Sequence, residues 1–277
     1  MKRLSPFGVV LWAATAVSLA FLLIPIVAIF AELAPAELRA GLTSDVALDA
    51  LRVTAETNLV AMALILLFGT PTAYLLATRS FRGRAAFVTL VELPLVLPPA
   101  VAGIGLLAAF GRMGLLGGTV DALGLEIAFT KVAVVLAVTF VASPFYVRTA
   151  IAAFEALDQD LVAASRTLGA GPARTFARVA LPLASGGLGA GAALAFARGL
   201  GEFGATIMFA GSFQGVTQTL SLAVYQEFDV NFDRALAIGA LLVLVSAAIL
   251  FAAKLVPAWR RRSTSTSTTV SAPSVSR

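Results

Sequence analysis

Asp160–Ala184 reads DLVAASRTLGAGPARTFARVALPLA. The stretch is polar and helix-forming and carries Arg166, Arg174 and Arg178, yet long apolar runs stand on both sides of it. How that interruption is read decides the fold, because the rest of the chain has the composition of a bilayer protein. Of 277 residues, 59% are hydrophobic and 13% charged, with a mean hydropathy of +0.95. Soluble domains carry about twice that charged fraction. A core made by a chain of this size cannot hide so much apolar surface, whereas hydrocarbon accepts it. The sequence holds neither cysteine nor histidine. That excludes disulfides, thiolate chemistry, imidazole acid–base catalysis and metal sites built on Cys or His.

Outward from this segment, charge-poor runs define six expected spans. They lie at Arg3–Glu32, Glu56–Arg79, Arg84–Arg112 (interrupted by Glu92), Lys131–Arg148, Arg178–Arg198 and Arg234–Lys254. The first begins with a basic MKR, as signal peptides do, but its apolar run far exceeds the roughly 7–15 residues of a signal core, so it reads as a retained helix. Phe203–Gln226 is uncharged but rich in Gly, Thr, Ser and Gln. Basic residues settle its treatment, since they concentrate on the cytoplasmic side. With six spans and a cytoplasmic N-terminus, 14 of the 20 basic residues fall inside. A seventh crossing would put Arg260, Arg261 and Arg262 outside. Phe203–Gln226 is therefore expected to enter the membrane partway or lie at its outer face. Residues 1–262 form the transmembrane domain, and the Ser/Thr-rich 263–277 reads as a disordered cytoplasmic tail with no further soluble domain.

The opening segment then falls in the second cytoplasmic loop, 154–178. Asp158 and Asp160 mark a helix start, where carboxylates complement the dipole. Leu157, Leu161, Ala164 and Leu168 share one helical face. Gly169 suits a left-handed C-cap, and Pro172 suits the first turn of a second helix. Such an amphipathic helix rests on lipid or docks in a partner's groove.

The segment resembles the coupling motif of binding-protein-dependent ABC importer permeases, E-A-A, three residues, G, nine residues, I, one residue, L-P. Ala163-Ala164-Ser165 stands for E-A-A, Gly169 for the glycine, and Val179, Leu181 and Pro182 complete the spacing. Ala163 departs from the usual glutamate, and with it goes any salt bridge that glutamate would make. ARGLGEFGATIMFAG (Ala197–Gly211), TQTLSLAVY from Thr217 and LPLVLPPAVAG from Leu93 closely resemble molybdate permease subunits, with sulfate and thiosulfate permeases as relatives sharing a GEFG block. The resemblance implies an all-α type I importer permease fold in a bacterial inner membrane, its termini cytoplasmic, working as a homodimer. It also implies an external oxyanion-binding protein, periplasmic or lipid-anchored, and a separate ATPase pair that holds ATP and Mg. The ATPase would dock on the segment containing Asp160, Leu161, Ala163, Ala164, Gly169, Leu181 and Pro182. Tungstate is implied as a fellow substrate. The chain itself has no G-x-x-x-x-G-K-[ST] phosphate loop, and its basic residues read as topology rather than nucleic-acid binding.

The candidate pathway residues are Gly201, Glu202, Gly204, Thr206, Pro98 and Pro99. GLGEFG lacks the preceding strand and following lysine of a phosphate cradle, so it reads as a helix break that frees backbone N–H groups near a passing oxyanion. Arg198 and Glu202, four apart, are expected to form a structural ion pair on one helix face. Glu92 is expected to partner Arg198 or to stay protonated. Pro94, Pro98 and Pro99 predict a kinked third span that bends during gating. Gly187 and Gly191, spaced G-x-x-x-G, predict a close helix contact within the subunit or across a dimer.

Overall fold

The computed structural model describes residues 6–264, and side chains only as far as residue 252 in the last helix. The described residues are all-helical, in chain order α1 (Pro6–Ala31), α2 (Pro35–Leu42), α3 (Asp45–Thr78), α4 (Arg84–Val96), α5 (Pro99–Phe110), α6 (Gly117–Ala122) and α7 (Lys131–Glu155). Then come α8 (Gln159–Thr167), α9 (Pro172–Thr175), a π-helical turn (Phe176–Ala180), α10 (Leu181–Leu200), α11 (Gly204–Ala210), α12 (Leu220–Phe228) and α13 (Phe232–Thr264). The expected tail, 263–277, lies almost wholly outside the described residues, and so do Lys2 and Arg3 at the start.

Five helical runs are long and apolar enough to cross about 30 Å of hydrocarbon: α1, α3, α7, the run Pro172–Leu200 and the first part of α13. The expected third span is not one kinked helix. It is the pair α4 and α5, bent by 113° at the break. Two successive prolines explain why. Pro98 and Pro99 donate no N–H, and a residue before proline is forced out of helical backbone angles. Pro98, itself followed by proline, has φ −54° and ψ 133°, and Pro99 begins α5. Pro94 stays within α4 without ending it. Counting the bent pair as one span gives six.

The chain forms two compact units. One gathers residues 1–61, 97–138 and 200–246, the other 62–96, 139–199 and 247–277. The first has a small core in which Ala47 and Ala50 of α3 meet Leu220 and Ala223 of α12 and Ile238 of α13. A Cβ on Gly41 would come within 2.4 Å of Ala237 Cβ, so glycine is what lets α2 lie against α13. Helix α1 buries none of its residues.

The second unit has the larger core. It joins Met62, Ile65, Ala73 and Leu76 of α3, Tyr146, Ala150 and Phe154 of α7, and Ala184, Leu188 and Ala195 of α10. Lipid gives no hydrophobic drive for helices to associate, so close packing and hydrogen bonds must hold them. Both are present. A Cβ on Gly187 would fall 2.5 Å from Ala153 Cβ, and one on Gly191 3.0 Å from Thr149 Cβ. The G-x-x-x-G face of α10 thus serves contact with α7 inside the subunit. Across α3 and α7, Thr70 Oγ1 and Tyr146 OH stand 2.7 Å apart. Arg84 ties three helix ends together, donating from Nε to the Leu76 carbonyl at 2.6 Å and pairing with Glu155 at 2.5 Å.

Candidate functional site

The polar interruption folds as two short helices around a glycine turn. Asp158 caps α8, its carboxylate accepting the Asp160 N–H at 2.9 Å, and Asp160 lies in the first turn. At the other end the Gly169 N–H donates to the Arg166 carbonyl and the Ala170 N–H to the Ser165 carbonyl, both at 3.0 Å. This is the paired Schellman pattern, which needs a left-handed residue after the helix. Gly169 supplies it, with φ +83°. Pro172 then opens α9.

The apolar face is divided in a way periodicity alone did not separate. Leu161, Ala164 and Leu168 are exposed, Leu168 at 88%. Val162 is buried and Ser165 half-buried on the inner side. Inside, the Ser165 and Thr175 hydroxyls lie 3.2 Å apart, and Thr175 is fully buried. The outer side leaves Leu161 and Leu168 uncovered. Ala163, where glutamate was expected from the resemblance, is exposed and makes no charged contact.

Leu181 and Pro182 have a structural reason for their place. In a regular helix the proline ring would collide with the carbonyl four residues back, here that of Arg178. The chain widens instead: the Leu181 N–H donates to the Phe176 carbonyl, five residues back, closing a π turn. Helical π turns recur where helices carry function. Sequence reading missed this turn and its leading residue, Phe176, whose ring lies 4.7 Å from Tyr74 and 6.4 Å from Phe154. The available signal was an aromatic residue set among small and charged ones in a loop.

The pathway candidates divide between surface and interior. Pro98, Pro99 and Gly201 are exposed and Gly204 is half-buried, whereas Glu202 and Thr206 are buried, at 2% and 0% exposure. The expected break at GLGEFG is present: α10 ends at Leu200 and α11 begins at Gly204. Glu202 therefore lies just beyond the helix that carries Arg198, so the two do not share one continuous helix face. Glu202 Oε1 accepts the Ala205 N–H at 2.7 Å. The anion seated at this helix start is the chain's own carboxylate. Glycine allows α5 and α11 to touch closely. A Cβ on Gly204 would meet Pro99 Cβ at 2.7 Å, and one on Gly103 would meet the Ala205 carbonyl oxygen at 2.5 Å.

The partner of Glu92 also differs from expectation. Its carboxylate pairs with Arg148 Nε at 3.0 Å, not with Arg198. Arg148 lies on α7, in the same unit as α4. Residues 203–226 form α11 and α12 with the loop between them, and neither helix is long enough to cross a bilayer. In that loop the Gln218 and Gln226 amides bond each other, and Gln226 Nε2 reaches the Ser212 carbonyl at 3.2 Å. Among the described residues no cluster of acidic side chains is suited to holding a metal ion.

A multi-span helical chain with a short amphipathic helix, a glycine turn and a widened L-P re-entry defines a class. Residues 65–261 match the family of binding-protein-dependent transport system inner membrane components, and the chain belongs to that family. Within it, the chain is 43% identical over 229 residues to the molybdenum transport system permease protein ModB of Mycobacterium bovis, covering 83% of this chain and 87% of that one. It is 35% identical over 258 residues to the sulfate transport system permease protein CysT of Synechococcus elongatus, covering 91% and 92%. The fold matches that in the crystal structure of a bacterial alginate ABC transporter with its pentasaccharide-bound periplasmic protein. There the TM-score is 0.67 at 17% identity, with 88% of this chain and 92% of that one covered.

Proposed function

We propose that this chain is the membrane-spanning subunit of an ATP-driven molybdate importer, with tungstate as a second substrate. The observation that carries the substrate is the 43% identity to a molybdenum permease, against 35% to the sulfate permease. Two copies line one pathway, and an external oxyanion-binding protein delivers the anion. The termini and the α8 loop face the cytoplasm. A separate ATPase pair, which binds ATP and Mg, docks on the exposed leucines of α8. Closure of the ATPase pair brings the two α8 helices together, and the spans rock to alternate access between the two sides. Candidate pathway contacts are Pro98, Pro99, Gly201, Glu202, Gly204 and Thr206. In support, Pro98, Pro99 and Gly201 are exposed, whereas Glu202 and Thr206 are buried and would have to be uncovered to meet an anion.

Labelled molybdate uptake into vesicles holding this chain, its ATPase and its binding protein tests the reading. ATP-dependent uptake that tungstate inhibits and a large excess of sulfate does not is the expected result. Inhibition by sulfate at concentrations comparable to molybdate would establish the sulfate-permease reading instead.

A further inference from the structure

Phe176 opens the π turn, and its ring lies 4.7 Å from Tyr74 of α3 and 6.4 Å from Phe154 of α7. Tyr74 and Phe154 meet edge-on, 5.2 Å apart at 75°. Phe154 is fully buried, and Phe176 packs against the core that α3, α7 and α10 share. On the other side Phe176 follows Thr175, whose hydroxyl lies 3.2 Å from Ser165 of α8 and 3.4 Å from the Ala170 carbonyl. A continuous line of contact therefore runs from α8 through Thr175 and Phe176 to α3 and α7.

The other routes out of the loop run along the backbone. The link from α7 to α8 passes through the short non-helical Ala156–Asp158, in which Leu157 packs against the same core. The link into α10 passes through the π turn that Phe176 itself opens, where regular four-residue hydrogen bonding is interrupted. A planar ring with two rotatable bonds, seated against two other rings, resists compression where a flexible aliphatic chain would re-pack. Coupling between distant sites travels through packed side chains and rigid elements of this kind.

We propose that Phe176 is the positioning residue through which displacement of α8 and α9 is passed to α3 and α7. The proposal rests on α8 being the helix that receives the ATPase. It assigns Phe176 no contact with either ATP or the transported anion.

The test compares F176A, F176L and F176Y in the full complex with ATPase and binding protein. Two readouts are needed. One is molybdate transported per ATP hydrolysed. The other is the distance between spin labels at Thr167→Cys on α8 and Thr78→Cys at the end of α3, both exposed positions in a chain without native cysteine. With Phe176 present, that distance is expected to stay single and unchanged when a non-hydrolysable ATP analogue is added. In F176A it spreads or shifts, and transport per ATP falls by about 2- to 30-fold. F176Y keeps the ring and restores the ratio. F176A still holds its ATPase, because Leu161 and Leu168 are untouched.

If F176A does not accumulate, F176L keeps apolar bulk without the ring and carries the same two measurements. A wild-type ratio and an unshifted distance in F176A or F176L overturn the proposal. So does loss of ATPase binding in either, which would make Phe176 a support for the docking face. If the unsubstituted chain binds no ATPase at all, the docking reading of α8 fails instead, and the two failures are told apart.

Discussion

The α8 loop and the α5–α11 contact both depend on glycine, and they use it for opposite ends. In the loop, Gly169 has open space where a Cβ would stand and is needed for its φ of +83°. Between α5 and α11, Gly103 needs no unusual φ but sits where a Cβ would strike the Ala205 carbonyl oxygen at 2.5 Å, Ala205 Cα at 2.8 Å and Met208 Cβ at 2.8 Å. The first glycine shapes the turn that follows the exposed leucines of α8. The second lets two helices approach until no side chain fits between them. The first region should therefore fail by losing a partner and the second by losing its own packing, so substitutions in the two have different readouts.

The largest effect is expected at the outward face. Replacing both Leu161 and Leu168 by aspartate removes the two exposed leucines and puts charge in their place. Burying a leucine in an interface stabilises it by about 1.5–3 kcal/mol, so two are worth roughly two to four orders of magnitude in affinity. Uptake and co-purification of the ATPase should both be lost while the permease stays folded. Retained co-purification would break the comparison, since this face would then not be built for a partner.

G103A comes next. Forcing a methyl into a packed contact costs about 1–3 kcal/mol. Thermal unfolding in detergent should show a lower midpoint for G103A with ATPase binding intact. G105A, on the same helix but with nothing within 4 Å of its Cβ, is the control and should leave the midpoint where it is or raise it. Equal behaviour of the two variants would mean that α5 and α11 do not stay in contact.

Much of this architecture is legible in the amino-acid sequence itself. The Asp158 start, the Gly169 cap and the Pro172 restart were all legible, because each depends on a backbone preference carried by one residue type. The membrane spans were legible because hydrocarbon imposes length and hydropathy on every crossing. The division of α8 into an inner side at Val162 and an outer side at Leu161 and Leu168 was not, because one apolar stripe looks the same whichever way it faces. The partner of Glu92 was misread for a similar reason: Arg148 is 56 residues away in sequence, and only the packing of α4 on α7 brings it near. The bend at Pro98 was legible in place but not in size, since proline fixes where helical bonding stops and says little about the direction in which the chain resumes.

A smaller effect is expected at Gly169. At Gly169 the cost of a side chain is that of a left-handed backbone alone, about 1–2 kcal/mol for most residues and less for asparagine. G169A should therefore lower transport per ATP more than G169N does, with neither changing the unfolding midpoint as much as G103A. If G169N were as damaging as G169A, the space around the turn would matter rather than its φ, and the distinction between the two glycines would collapse.

The smallest effect is expected at Glu92 and Arg148, which belong to neither glycine region and so set the baseline for charge in this fold. Their side chains keep 37% and 59% of their exposure, so wherever that face meets water the pair is screened in spite of the 3.0 Å contact. Exposed ion pairs contribute about 0–1 kcal/mol. E92Q should then lower the unfolding midpoint only slightly. Adding R148Q should bring little further change, because a screened pair has little coupling to lose, and raising the salt concentration should shrink the E92Q effect still more. A loss well above that range in E92Q, recovered in the double variant, would mean that removing one charge strands the other in low dielectric, as happens to intramembrane charges. The pair would then fasten α4 to α7 beside the Arg84–Glu155 contact, which is similarly exposed and lies at the C-terminal end of α7.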